Sequence, residues 1–137
     1  MDPILHSFLN GFPTLLLHFS VTLTMLGAGV WIYQLITPWN EMDLIRQGNT
    51  AAATSFAGAI LGLAIPLTIC MATSVGILDI IIWGVVALLI QLLAFRLADI
   101  LLKDLPRRIE GGEMGAAILV VAVKLSVAFI NAASITG

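Results

Sequence analysis

Four long, largely apolar runs divide this chain, at about Pro13 to Ile36, Ala51 to Thr73, Leu78 to Leu102 and Met114 to Ile135. A helix rises 1.5 Å per residue, so roughly 20 apolar residues cross the hydrocarbon of a bilayer with every backbone group bonded inside the segment. The runs are continuously apolar and do not alternate with period two, which disfavours a β-barrel. Only 10% of the 137 residues are charged while 60% are apolar. A soluble domain carries roughly 25% charged residues, so this surface is too poor in polar groups to hold a folded monomer in water. The expected fold is an all-α integral membrane protein, one four-span domain over residues 1–137.

Charge excludes one large class of function. A net charge of −2, with six Lys and Arg residues that form no stripe, leaves nothing to neutralise phosphates, so no nucleic-acid partner is expected. Cys70 is the single cysteine; it permits no intrachain disulfide and reads as an inert buried thiol. The N-terminus carries no Lys or Arg and leads into further apolar runs, so a cleaved secretory signal is not expected. No GxSxG, HExxH, Walker loop or cysteine pair is present, so the chain is not expected to be an enzyme, and no metal or other cofactor is predicted.

Between the spans the chain is brief. Asp2 and Pro3 suit the cap and first position of a short helix lying in the interface, which Gly11-Phe12-Pro13 is expected to end. The connection from Thr37 to Asn49 places Trp39 at headgroup level and Glu41 and Asp43 in a turn or two of helix stopped at Gly48. The connection from Lys103 to Glu113 has the same plan. Arg46, Lys103, Arg107 and Arg108 all fall in these two connections, which the positive-inside rule places in the cytoplasm, with both termini periplasmic.

An offset of 64 residues lays Ile45 on Ile109, Gly48 on Gly112, Ala52-Ala53 on Ala116-Ala117, Leu61 on Leu125 and Ala64 on Ala128. The pattern of amphipathic turn, glycine and small-residue helix start repeats with them. Two spans return a chain to the side it left, so such units form two parallel two-helix repeats, about residues 9–73 and 74–137, about an axis along the membrane normal.

Several side chains need a reason to lie in lipid. Lys124 falls near the bilayer midplane, where a lysine costs roughly 2.5–3.5 kcal/mol. It reads either as an ion, proton or anionic-substrate site, with Gln91 at similar depth, or as a lysine that snorkels or hydrogen-bonds inside the bundle. Arg96 and Asp99 stand three residues apart in the third span, as a structural ion pair or a gate lining. His18, with Thr14 one turn before it, is a hydrogen-bonded or interfacial histidine or, less simply, a tetrapyrrole ligand. Asn131 is a further intramembrane polar candidate. Gly58 and Gly62 form a GxxxG pair for close helix packing within or between subunits. Pro66 is expected to kink the second span, and Asn49 to cap its start. Glu41 either caps its turn or pairs with Arg46.

The segment ITPWNEMDLIRQGNTAAATSFAGAILGLAIPL, from Ile36 to Leu67, resembles the YjfL-like family of small bacterial inner-membrane proteins, catalogued as a domain of unknown function (number 350). WGVVALLIQLLAFRLAD, from Trp83 to Asp99, and the closing run with Asn131-Ala132-Ala133 extend the resemblance over nearly the whole chain. It implies a four-span bacterial inner-membrane protein built from a duplicated two-span unit, and no established activity. Lys124 departs from the apolar or small residue expected there.

Three functions fit these readings. The leading one is an oligomeric structural or accessory module packed through small-residue faces, because four short spans leave little interior for a private path. The second is an ion or small-solute channel or transporter using Lys124, Gln91 and the helix at Pro66. The third is an auxiliary subunit of a larger pigment or respiratory complex. Membrane lipids, further copies of the chain or other membrane subunits are the expected partners.

Overall fold

The computed structural model describes residues 2–37 and 40–136; Trp39, expected at headgroup level, lies outside them. The described chain is helical apart from short turns: α1 (Pro3–Ile36), α2 (Glu41–Arg46), α3 (Thr50–Thr73), α4 (Ile77–Leu101), α5 (Asp104–Glu110) and α6 (Met114–Thr136). Four of these, α1, α3, α4 and α6, are long and apolar enough to cross a membrane, within a residue or two of the expected bounds except at the start of α1.

That exception is a correction. No interfacial helix ends at Gly11-Phe12-Pro13; α1 continues through Pro13 for 34 residues. Asp2 does cap it, accepting from the Ile4 N–H at 3.0 Å, with Pro3 in the first turn. Pro13 removes one backbone bond, whereas breaking the helix in an apolar stretch would free several carbonyls with no water to meet them. At 1.5 Å per residue α1 is roughly 50 Å long, well beyond the ~30 Å hydrocarbon thickness. Every residue from Pro3 to Leu17 is exposed, and packing begins only where Thr22, Gly29 and Tyr33 turn inward.

Helix directions follow from which side chains meet. Gly84 faces Met25 and Gly29 faces Leu88, so α1 and α4 run the same way; Gly58 faces Val121 and Gly62 faces Lys124, so α3 and α6 also run parallel to each other. Tyr33 stacks on Phe56 while Gly29 nears Leu63, which sets α1 antiparallel to α3. Both short connections therefore lie at one end of the bundle. The small face of α3, with Ala51, Ala52, Ser55, Gly58, Ala59 and Gly62 buried, brings its backbone close to every other helix. One apolar core joins α1, α3 and α4 around Tyr33, Leu63, Leu88 and Phe95. Another, at the connection end, packs Leu105 and Ile109 on Ala51, Ala52, Ala116 and Ala117. Pro66 is buried in an α3 that runs unbroken to Thr73.

Both connections close with one turn geometry. Gly48 at φ 90° and Gly112 at φ 92° take the left-handed conformation, after which Asn49 donates to the Leu44 carbonyl at 2.9 Å and Glu113 to that of Arg108 at 3.0 Å. Nothing crowds either glycine, so only backbone strain opposes a side chain there. Gly48→Ala and Gly112→Ala are each expected to lower stability by about 1–2 kcal/mol, read as the thermal midpoint in mild detergent. Asn49 caps α3 as expected, accepting from Ala52 at 3.0 Å. Its amide also donates to the carbonyls of Ile109 and Glu110, both at 3.1 Å, and so pins one connection to the other.

Candidate functional site

Lys124 is the eleventh residue of α6 and is 2% exposed. Side chains lean toward the N-terminus of their helix, which aims its stem at the end of the bundle that holds α2. Nζ lies 4.9 Å from the ring centre of Tyr33 and 5.2 Å from that of Phe95, and these rings meet edge to face at 6.0 Å. Two electron-rich rings thus share the cation while apolar neighbours surround its stem. The ammonium donates to the Tyr33 hydroxyl at 2.8 Å, and that hydroxyl donates to Glu41 Oε1 at 2.8 Å. The lysine snorkels, but inside the protein and into a buried chain of partners.

Glu41 opens α2 and is 4% exposed, with Oε2 unpartnered. It does not pair with Arg46, which lies 3.9 Å from Asp43 instead, because the first turn of α2 points Glu41 at the bundle and leaves Asp43 on the outer face. A cavity of about 510 Å³, open to the surroundings, lies where α1 meets α2; Trp31, Gln34, Asn40, Glu41, Asp43 and Arg46 line it.

Burial pushes the Glu41 carboxyl above the ordinary glutamate range, and the Asp99 charge adds to this; the Tyr33 hydrogen bond and the Lys124 charge act the other way without cancelling it. A carboxyl whose folded value exceeds its unfolded one stabilises the docked state fully below the unfolded value, and that contribution is lost as pH rises through the folded one. Amide exchange in α2, corrected for intrinsic chemistry, is therefore expected to quicken as pH rises above the ordinary glutamate range and Glu41 ionises, and Glu41→Gln to flatten the dependence.

Below the ammonium a second set of polar groups continues along α6. Gln91, fully buried, donates to the Lys124 carbonyl at 3.4 Å, so it meets the backbone of that residue and not its charge. Asn131 donates to Gln91 Oε1 and to the Ala87 carbonyl, both at 3.1 Å. The sequence candidates Lys124, Gln91 and Asn131 thus come together. Arg96 and Asp99 do not close as an ion pair: those among the described residues are Arg46–Asp43 and Arg108–Glu113. Asp99 follows Phe95 by one turn and lines a narrow gap with Val120 and Val123 of α6, beside Lys124.

His18 is half-buried on α1, remote from this set, and its carbonyl accepts from Thr22 Oγ1 at 2.8 Å. Gly58 and Gly62 pack inside the subunit, against Val121 and Phe95. Among the described residues no group of three His, Cys, Asp or Glu side chains could hold a metal ion.

Tyr33 and the inward role of Glu41 escaped sequence reasoning. The available signal was that Tyr33 is the only tyrosine, placed beside Gln34 near the end of an otherwise apolar span. Its bond to Lys124 joins positions 91 residues apart, which no local pattern reports.

A family model described as Domain of Unknown Function (DUF350) matches residues 7–135. The UPF0719 inner membrane protein YjfL of Escherichia coli strain K12 is 35% identical over 119 residues, covering 87% of this chain and 90% of that protein. The protein of the same description from Escherichia coli O157:H7 matches equally. The UPF0719 transmembrane protein YshE of Bacillus subtilis strain 168 is 23% identical over 120 residues, 86% of this chain and 90% of its own. No solved structure matches. With four apolar helices of spanning length and a family match from the first turns of α1 to the last of α6, the chain belongs to the DUF350 family of membrane proteins.

Proposed function

We propose that this chain is a non-enzymatic bacterial inner-membrane protein that passes an ion or small solute, with the chain Lys124–Tyr33–Glu41 as its working element. One observation carries the reading. A lysine halfway along a membrane-spanning helix, shut off from lipid, is bonded through one hydroxyl to a carboxylate that lines an open cavity. Ionisable side chains at such depth mark ion and proton paths more often than they serve packing. The inner-membrane names of the Escherichia coli relatives support the location. The cations of α2 and α5 support a cytoplasmic position for the cavity, with both termini periplasmic, and the shared turns at Gly48 and Gly112 support descent from a duplicated two-helix unit. Proteoliposomes loaded with potassium or sodium chloride and a pH-sensitive dye test the function: flux is expected in wild type and a loss of about tenfold or more in Lys124→Leu. Unchanged flux in Lys124→Leu removes the proposed path.

A second reading is that of an oligomeric or accessory subunit assembled through α1. It is favoured by the exposed apolar stretch from Pro3 to Leu17, now that the glycine pair is occupied within the subunit. Native mass spectrometry in mild detergent is expected to show dimers or larger forms of the full chain; a monomer alone removes this reading.

A further inference from the structure

The groups around the Lys124 ammonium hold more bonding capacity than they use. Nζ has three donors, of which one reaches Tyr33. Glu41 Oε2 is buried without a partner. Asp99 is half-buried, one turn beyond the Phe95 ring that lies 5.2 Å from Nζ, and it forms no ion pair within 4.0 Å among the described residues. Asp99 lines a narrow gap with Val120 and Val123 of α6, the turn that leads into Lys124. Arg96 stands three residues before Asp99 on the same helix. The ammonium thus bonds a phenol oxygen, with one carboxylate a hydroxyl away and a second on the helix face turned to α6, and it touches neither carboxylate.

We propose that Glu41, Asp99 and the Tyr33 hydroxyl form a site for a monovalent alkali cation, with the Lys124 ammonium as the resident occupant that gives way to a cation entering through the cavity beside Glu41. All three are hard oxygen ligands, the kind alkali and alkaline-earth ions take. The lysine is tethered, so as the cation binds it releases one proton through the same cavity and stays as the neutral amine; one positive charge replaces another and no uncompensated carboxylate is created. A divalent ion would leave the buried set one positive charge richer than the ammonium did. Lysine suits the part because, unlike arginine, it can give up a proton inside a protein while its amine stays in place. The cavity of about 510 Å³ supplies the entry, since Glu41 is part of its lining.

This inference rests on the reading of Lys124 as the working residue, and binding, not flux, tests it, so that the two can fail separately. The purified full-length protein is unfolded thermally in mild detergent in sodium, potassium or choline chloride at equal ionic strength, and equilibrium binding of radioactive sodium is measured in parallel. Wild type is expected to gain midpoint in the alkali salts over choline, with saturable binding. Lys124→Gln is expected to bind about tenfold more tightly or better, as the built-in competitor is gone. Glu41→Gln and Asp99→Asn are expected to lose both the shift and the binding, and Tyr33→Phe to weaken them. Identical midpoints in the three salts for wild type and Lys124→Gln overturn the site, as does binding that survives both carboxylate changes. Should Lys124→Gln fail to fold, the comparison of wild type with Glu41→Gln decides. Flux without cation binding retains the path and removes this site; binding without flux does the reverse.

Discussion

Lys124→Met is expected to destabilise the protein by about 3–5 kcal/mol, the loss typical when one partner of a buried charged set is removed. Methionine keeps most of the stem that packs near Tyr33 and Phe95, so lost packing contributes little. What changes is that Glu41, at 4% exposure, loses the cation that offsets its burial, and the Tyr33 hydroxyl loses a donor. The sign of the effect decides between two accounts. If Lys124 were only tolerated in hydrocarbon, replacing it would relieve roughly 2.5–3.5 kcal/mol of insertion cost and stabilise the chain. The double variant Lys124→Met with Glu41→Gln is expected to recover most of the loss, because both charges then leave together and the site retains a neutral acceptor for Tyr33. Unfolding in mixed micelles of rising denaturing-detergent fraction measures all three chains. A coupling below about 0.5 kcal/mol would show that the two charges act independently.

The contact between α3 and α6 yields the second large effect. A Cβ on Gly58 would lie 2.6 Å from Val121 Cγ2 and 3.1 Å from its Cβ. A valine in a helix has one strongly favoured rotamer, so it cannot swing aside, and the two backbones must part instead. Gly58→Ala is expected to lose about 1–3 kcal/mol through overpacking, despite the gain of up to about 1 kcal/mol that alanine brings in helix propensity. Val121→Ala in the same chain opens the space and is expected to restore stability to near that of Val121→Ala alone. At Gly62 the obstacle is the tip of the Phe95 ring, at 2.6 Å; Gly62→Ala is expected to tilt that ring and so disturb the Lys124 ammonium as well. Equal midpoints for wild type and Gly58→Ala would mean that the helices have room to spare. The glycine pair, which the sequence left open to packing within or between subunits, is in this way occupied within one.

The four spans were legible because apolar length is a local quantity that each segment carries by itself, and in lipid it has one solution, a helix with its backbone bonded inside. The caps at Asp2 and Asn49 and the stops at Gly48 and Gly112 were legible for the same reason, since each is settled within a few residues. Pro13 misled: a proline marks the end of a helix where water can take the freed groups, and where it cannot, one missing bond is the smaller loss. Lys124, Gln91 and Asn131 stood out because the solvent makes any polar side chain there conspicuous.

What the amino-acid order determined alone is therefore the set of helices, their lengths, their shared direction in pairs, and the few side chains that hydrocarbon would reject. Which of those meet was decided only by the packed bundle. Tyr33, Glu41, Asp99 and Lys124 belong to four different helices, and a buried chain of polar partners is specified by proximity in space, which apolar runs and helical periods do not encode. The glycines at 58 and 62 let α3 and α6 come close enough for a lysine on one side of the bundle to be satisfied by a tyrosine and a glutamate from the other.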